Sequence, residues 1–185
     1  MGSSSIYVTG NTGIDAVLHV CRELAAGRLT GRRPWPELDA QRKLIAVTAH
    51  RRESFGEGFE RICTALARLA GRPDVQIYPV HRDPNVLKPV TERLSSVPNL
   101  LLIEPLDYVP FVDLTCRAWI IVTDSGGIQE EGTSLGKPIL VRRDKTERPE
   151  AVETGTVKLV GTAVERVVGE ASRRLLKDPE EYPHM

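Results

Sequence analysis

Asp124-Ser125-Gly126-Gly127 stands where an apolar run, WIIVTD (119–124), gives way to a helical pattern. Two adjacent glycines let a ligand approach the backbone closely. The amides that open a helix, together with its dipole, favour an anion such as phosphate. A plain helix cap with tight packing accounts for the same residues equally well. The turn is neither a GxGxxG nor a P-loop. Four residues past Gly127, on the same helical face, comes Glu131. Its carboxylate can accept two hydroxyl hydrogen bonds, as from a ribose, or be a solvated group favouring the helix dipole.

Three further groups could do chemistry. Arg142 to Glu150 reads RRDKTERPE, a dense charged loop with Arg148 near its end. Arginine suits planar, bidentate contact with phosphate, although most charge runs are solvated surface. VTAHRRESFGEGFE (47–60) ends an apolar run in His50-Arg51-Arg52-Glu53. His50 can donate a proton near neutral pH, or face a phosphate as imidazolium, or be an ordinary polar surface residue. His81, closing YPVH, is a weaker case of the same kind. Phe111 and Tyr108 read by default as core or rim aromatics. No Ser-His-Asp arrangement and no metal-ligand spacing is visible.

These groups need a scaffold that brings them together. LIAVTA (44–49), VQIYPV (75–80), LLLI (100–103), WIIVTD (119–124), PILVR (138–142) and residues 157–160 read as strands. Helical patterns separate them: Phe59, Ile62, Cys63, Leu66, Leu69 and Ala70 on one face, then 85–94, 109–116, 125–134 and 164–177. An earlier helix carries Ile14, Val17, Leu18, Cys21 and Leu24, with Asn11 or Thr12 as its cap. Short, almost continuous apolar strands alternating with helices imply an α/β fold, a doubly wound, mostly parallel, Rossmann-like sheet. In such sheets ligands bind beyond the carboxyl ends of the strands. His50, His81, Asp124 to Gly127 and Arg142 to Glu150 all follow strands, so one edge collects the polar groups.

The totals limit the alternatives. The chain has 185 residues, with 25 basic and 25 acidic side chains. That balance argues against a nucleic-acid binder, and no apolar run is long enough to span a membrane. Cys21, Cys63 and Cys116 are far apart and form no CxxC, so reduced thiols in a cytoplasmic protein are expected. From chemistry alone the reading is a domain for a phosphorylated, hydroxyl-bearing ligand such as a nucleotide. Residues 1–5 look like an expression leader, 6–42 like a hinge segment, first helix and linker, and 43–185 like the binding domain.

TAHRRESFGEGFE, YPVH, PLDYVPFVDL, VTDSGGIQEEGTSLGKPILV and RDKTERPEAVETGTVKLVG resemble the non-hydrolysing UDP-N-acetylglucosamine 2-epimerases. The opening VTGNTGIDAVL is similar to the segment joining that family's two domains. The resemblance implies the C-terminal half of a GT-B-like, homodimeric, two-domain enzyme that interconverts UDP-N-acetylglucosamine and UDP-N-acetylmannosamine for surface polysaccharide. It implies anti elimination of UDP and its re-addition, with no redox cofactor and no metal. Ser125, Gly126 and Gly127 would then hold the diphosphate, Glu131 the ribose, Arg148 the UDP pocket, and Phe111 would lie by the uracil. His50 would help the leaving group depart, and Arg51 and His81 match an activator site. Here the chain departs from the family pattern at Arg82-Asp83-Pro84 and Gly132-Thr133. The resemblance further implies that the N-terminal half, which supplies the carboxylates proposed to move the C2 proton, and the terminal helix are not in this stretch of sequence. This stretch alone is therefore expected to bind UDP weakly, to be inactive and to be monomeric. Two rivals stand beside this reading: a GT-B-type UDP-sugar glycosyltransferase domain, and a non-catalytic nucleotide-sugar-binding module.

Overall fold

The computed structural model describes residues 7, 10–29, 38–48, 57–80, 90–103, 106–146, 152–153 and 155–182. Five parallel strands form its centre: β1 (Lys43–Thr48), β2 (Val75–Val80), β3 (Ile120–Thr123), β4 (Ile139–Val141) and β5 (Val157–Leu159). Their order across the sheet is β2-β1-β3-β4-β5, parallel throughout. The expected strand at 100–103 shrinks to isolated bridges at Leu100, which pairs with Ile77 on the outer side of β2, and at Ile103. Asn99 explains the difference. Its φ of 63° turns the chain just before the bridge. Its side chain donates to the carbonyls of Ala70 and Arg72, while its own carbonyl accepts from the Ile77 amide and so anchors the bridge.

Two layers of helix cover the sheet because successive strand residues point to opposite faces. Ile45, Val47, Ile120, Val122 and Leu140 face α2 (Glu57–Ala70) and α5 (Val164–Arg174). Leu44, Ala46, Ile121, Ile139 and Val141 face the other way, where α3 (Tyr108–Arg117) and α4 (Gly126–Ser134) lie. α1 (Thr12–Ala25) packs outside that second layer, its Val17 and Val20 against Val112 of α3. Asn11 caps α1 by accepting from the amide of Gly13 at 2.9 Å. Among the described residues, no helix is long and apolar enough to cross a membrane.

One expectation is corrected. Cys21 of α1 and Cys116 of α3 form a disulfide, with Cα atoms 6.6 Å apart. Only Cys63 is free, and it is buried on the inner face of α2. A separation of 95 residues hides this pairing from the sequence, because only the packing of α1 on α3 brings the two together. The cysteines therefore give no argument for a reducing compartment.

The path from β1 leads through α2 on one face to β2, and the path from β3 leads through α4 on the other face to β4. The chain thus reverses its direction of travel between β1 and β3. Such a switch point opens a crevice outside the carboxyl ends of these two strands.

Candidate functional site

The carboxyl ends of β1 and β3 close on a buried pair of hydroxyls. Thr48 and Thr123 are opposed in register, and their Oγ1 atoms lie 2.6 Å apart. The chain leaves β3 through Asp124 and Ser125 and enters α4 at Gly126. Ser125 is the N-cap, with the extended backbone such a residue takes, φ −84° and ψ 134°. Its hydroxyl makes no capping bond to the helix. The usual task of an N-cap serine is to accept from an amide in the first turn. Here, among the described residues, that hydroxyl is left for something else. A methyl group placed on Gly127 would meet only the Ser125 Oγ, at 3.9 Å. The glycine therefore leaves an approach to the backbone that almost any side chain would narrow.

Glu131 sits on the same helix, one turn further in. Burial pushes its carboxyl up from the usual range, and the neighbouring charge of Glu130 pushes the same way. Its Oε1 lies 4.0 Å from the position a Cβ on Gly13 would occupy, so it faces the first turn of α1. Asn11, the cap of α1, donates to Glu130. Tyr108, at the start of α3, is raised chiefly by burial and then by the charge of Glu131. Phe111 lies one turn along α3, half-buried against the apolar cluster beneath α3 and α4. Ser125, Gly126, Gly127 and Glu131 thus stand together at the mouth of α4, and Phe111 of α3 packs on the same apolar cluster as Ile128 of α4. His50, Arg51, His81 and Arg148 lie outside the described residues.

The sequence reading missed several groups at this edge. Arg142 directly follows β4, and its guanidinium is only 3% exposed. Its Nη2 donates to the Gly58 carbonyl in the first turn of α2 at 3.2 Å. Among the described residues, its Nε and Nη1 have no hydrogen-bond partner. Burial pulls its pKa down, and the charge of Asp124 opposes that. Gln129, 1% exposed on α4, donates to the Ser125 carbonyl at 3.2 Å and accepts from Thr146 Oγ1 at 2.7 Å. Thr146 belongs to the charged loop after β4. The only sequence signal for these links is polar residues placed at strand ends and inside a buried helix face.

A turn with free amides, a carboxylate one turn away and an aromatic beside it can hold a phosphate, a pair of vicinal hydroxyls and a flat ring. The family model described as UDP-N-acetylglucosamine 2-epimerase matches residues 1–185. The chain belongs to the UDP-N-acetylglucosamine 2-epimerase family. It is similar to the Escherichia coli K12 UDP-N-acetylglucosamine 2-epimerase, 54% identical over all of this chain and 50% of that protein. The Salmonella typhimurium enzyme is 56% identical over 97% of this chain and 49% of its own length. Among solved structures, the Neisseria meningitidis UDP-GlcNAc 2-epimerase bound to UDP-GlcNAc superposes with a TM-score of 0.85. It is 45% identical, covering 98% of this chain and 50% of that one. The Methanocaldococcus jannaschii enzyme in complex with UDP-GlcNAc and UDP gives a TM-score of 0.78 at 28% identity, covering 100% of this chain and 51% of that one. The chain thus spans about half the length of the curated relatives it matches. A glycosyltransferase of kitacinnamycin, 21% identical with a TM-score of 0.57, shares the fold alone.

Proposed function

We propose that this chain is the UDP-gripping part of an enzyme that interconverts UDP-N-acetylglucosamine and UDP-N-acetylmannosamine. The observation that carries the reading is the mouth of α4, where the Ser125 hydroxyl makes no cap bond and the glycine turn stays open. This edge belongs to a family one of whose members was solved with UDP-GlcNAc bound. Ser125, Gly126 and Gly127 hold the diphosphate, Glu131 accepts from the ribose hydroxyls, and Phe111 lies along the uracil. Arg148 lines the same pocket, and His50 faces the leaving group. Arg51 and His81 serve a second, activating nucleotide sugar.

In the reaction, the bond from sugar C1 to the diphosphate oxygen breaks as a base removes the C2 proton. The electron pair of the C–H bond becomes the C1–C2 double bond of a glucal, and UDP departs as an anion. The same oxygen then attacks C1 again while a proton returns to C2 from the other side. Charge grows on the diphosphate as the C–O bond lengthens. Fixed amides at the start of α4 therefore stabilise the transition state more than the bound substrate. The carboxylates that move the C2 proton belong to the other half of the homodimeric, two-domain enzyme.

The test is proton exchange in deuterated water. The 185-residue chain binds UDP yet places no deuterium at C2 of UDP-N-acetylglucosamine, whereas a chain extended to the full length of its relatives does. Deuterium at C2 with the shorter chain alone would overturn this division of labour.

A further inference from the structure

We propose that a chain of hydrogen bonds rooted in the core, Thr48–Thr123–Ser125–Gln129–Thr146, presets the diphosphate turn, and that Thr123 and Gln129 are positioning residues for the nucleotide. The proposal rests on the UDP reading above and deepens it. Thr48 and Thr123 are 6% and 0% exposed, and their hydroxyls are 2.6 Å apart. Neither hydroxyl is needed for the sheet, since the backbone ladder between β1 and β3 already sets the register. Valine would fill the same volume and spare the cost of burying a hydroxyl. What the hydroxyl of Thr123 does is accept the amide of Ser125 at 3.0 Å. That amide is one of the early donors a helix leaves unsatisfied. Holding it inward fixes the N-cap without using the serine side chain. The Ser125 hydroxyl is then not drawn into capping the helix.

From Ser125 the chain continues to the far side of the crevice. Gln129 uses both ends of its buried amide: Nε2 on the Ser125 carbonyl and Oε1 under the Thr146 hydroxyl. Ser125 is thus held at its N–H by β3 and at its carbonyl by α4. The charged loop after β4 is tied to the same point. One brace therefore spans β1, β3, α4 and the loop that follows β4. A turn fixed before binding loses less freedom when the ligand arrives, which favours affinity without any new contact. The benefit goes to the part of the ligand touching the turn, the diphosphate, and not to the nucleoside.

Calorimetric titration of the chain with UDP and with uridine tests this. Wild type binds UDP more tightly than uridine. Thr123→Val weakens UDP roughly tenfold, leaves uridine within about twofold and keeps a cooperative melt, and Thr123→Ser restores UDP binding. Gln129→Met lowers UDP affinity in the same selective way. If Thr123→Val does not fold, Thr146→Val, at the less buried end, carries the same selective expectation. A variant set that binds UDP like wild type, or that loses UDP and uridine equally, overturns the brace while leaving the UDP reading intact. A wild-type chain that shows no preference for UDP over uridine overturns the UDP reading itself, and the brace with it.

Discussion

Glu131 carries a conflict between folding and binding. Burial and Glu130 raise its pKa, so its ionised form opposes the fold. A group raised in the folded state contributes stability below its unfolded value, near 4.5, and loses it as pH rises through the folded value. At pH 7 the wild type therefore bears the burial of a charge that Gln would not. Glu131→Gln should raise the melting temperature by about 1–2 °C at pH 7 and by nothing at pH 4. In the same protein, uridine affinity should fall roughly tenfold or more as a charged acceptor for hydroxyls is lost. Melting curves at the two pH values and a uridine titration check both halves. At this scale the sequence was legible where a motif was contiguous. SGGIQEE placed Ser125, Gly127 and Glu131 on one turn and a half of helix. Arg142 and the threonine pair were not legible, because a buried guanidinium and a buried hydroxyl look in sequence like surface residues. Only the register of β1, β3 and β4 shows what they face.

The elements were legible because their periods were clean. The apolar face of α2 was drawn from spacing alone, and Ile62, Cys63, Leu66, Leu69 and Ala70 are all buried. The strands agree to within a residue or two, except the bridge at Leu100, where Asn99 turns the backbone. Helix α4 shows what spacing cannot say. Gly132 is a poor helix former, yet a Cβ there would lie 2.8 Å from Ile139 Cδ1 and 3.0 Å from Ile121 Cδ1. α4 lies that close to β3 and β4, which keeps its first turn over the carboxyl ends of these strands. Gly132→Ala gains helix propensity of about 1 kcal/mol but overpacks a core site at about 1–3 kcal/mol. The net expectation is a loss of about 1 kcal/mol, seen in denaturant unfolding. Adding Ile139→Val removes the clashing Cδ1, so the double variant should recover most of that loss. Additive effects of the two changes would contradict the contact.

The chain as a whole carries a staple that neither composition nor spacing foretold. The Cys21–Cys116 disulfide ties α1, whose first turn faces Glu130 and Glu131, to α3, which bears Tyr108 and Phe111. It closes a loop spanning 95 residues of separation. A cross-link of that reach restricts the unfolded chain and is worth about 2–5 kcal/mol. Reductant should lower the melting temperature of the wild type and leave Cys116→Ser, already lowered, unchanged. Under non-reducing denaturation, a thiol reagent should find one reactive cysteine, Cys63. At this scale the parallel α/β sheet was legible in the sequence, and the likeness pointed to the family to which the chain belongs. Neither reaches the chemistry at C2, because the chain spans only half of its relatives.

Amide chemical shifts give the most direct test that the start of α4 grips the paired phosphates. In a titration of the ¹⁵N-labelled chain, UDP should move the Gly126, Gly127 and Ile128 amides, and uridine at equal saturation should leave them in place. If UDP binds while those three amides stay unmoved, the diphosphate lies elsewhere and the account of this site is wrong.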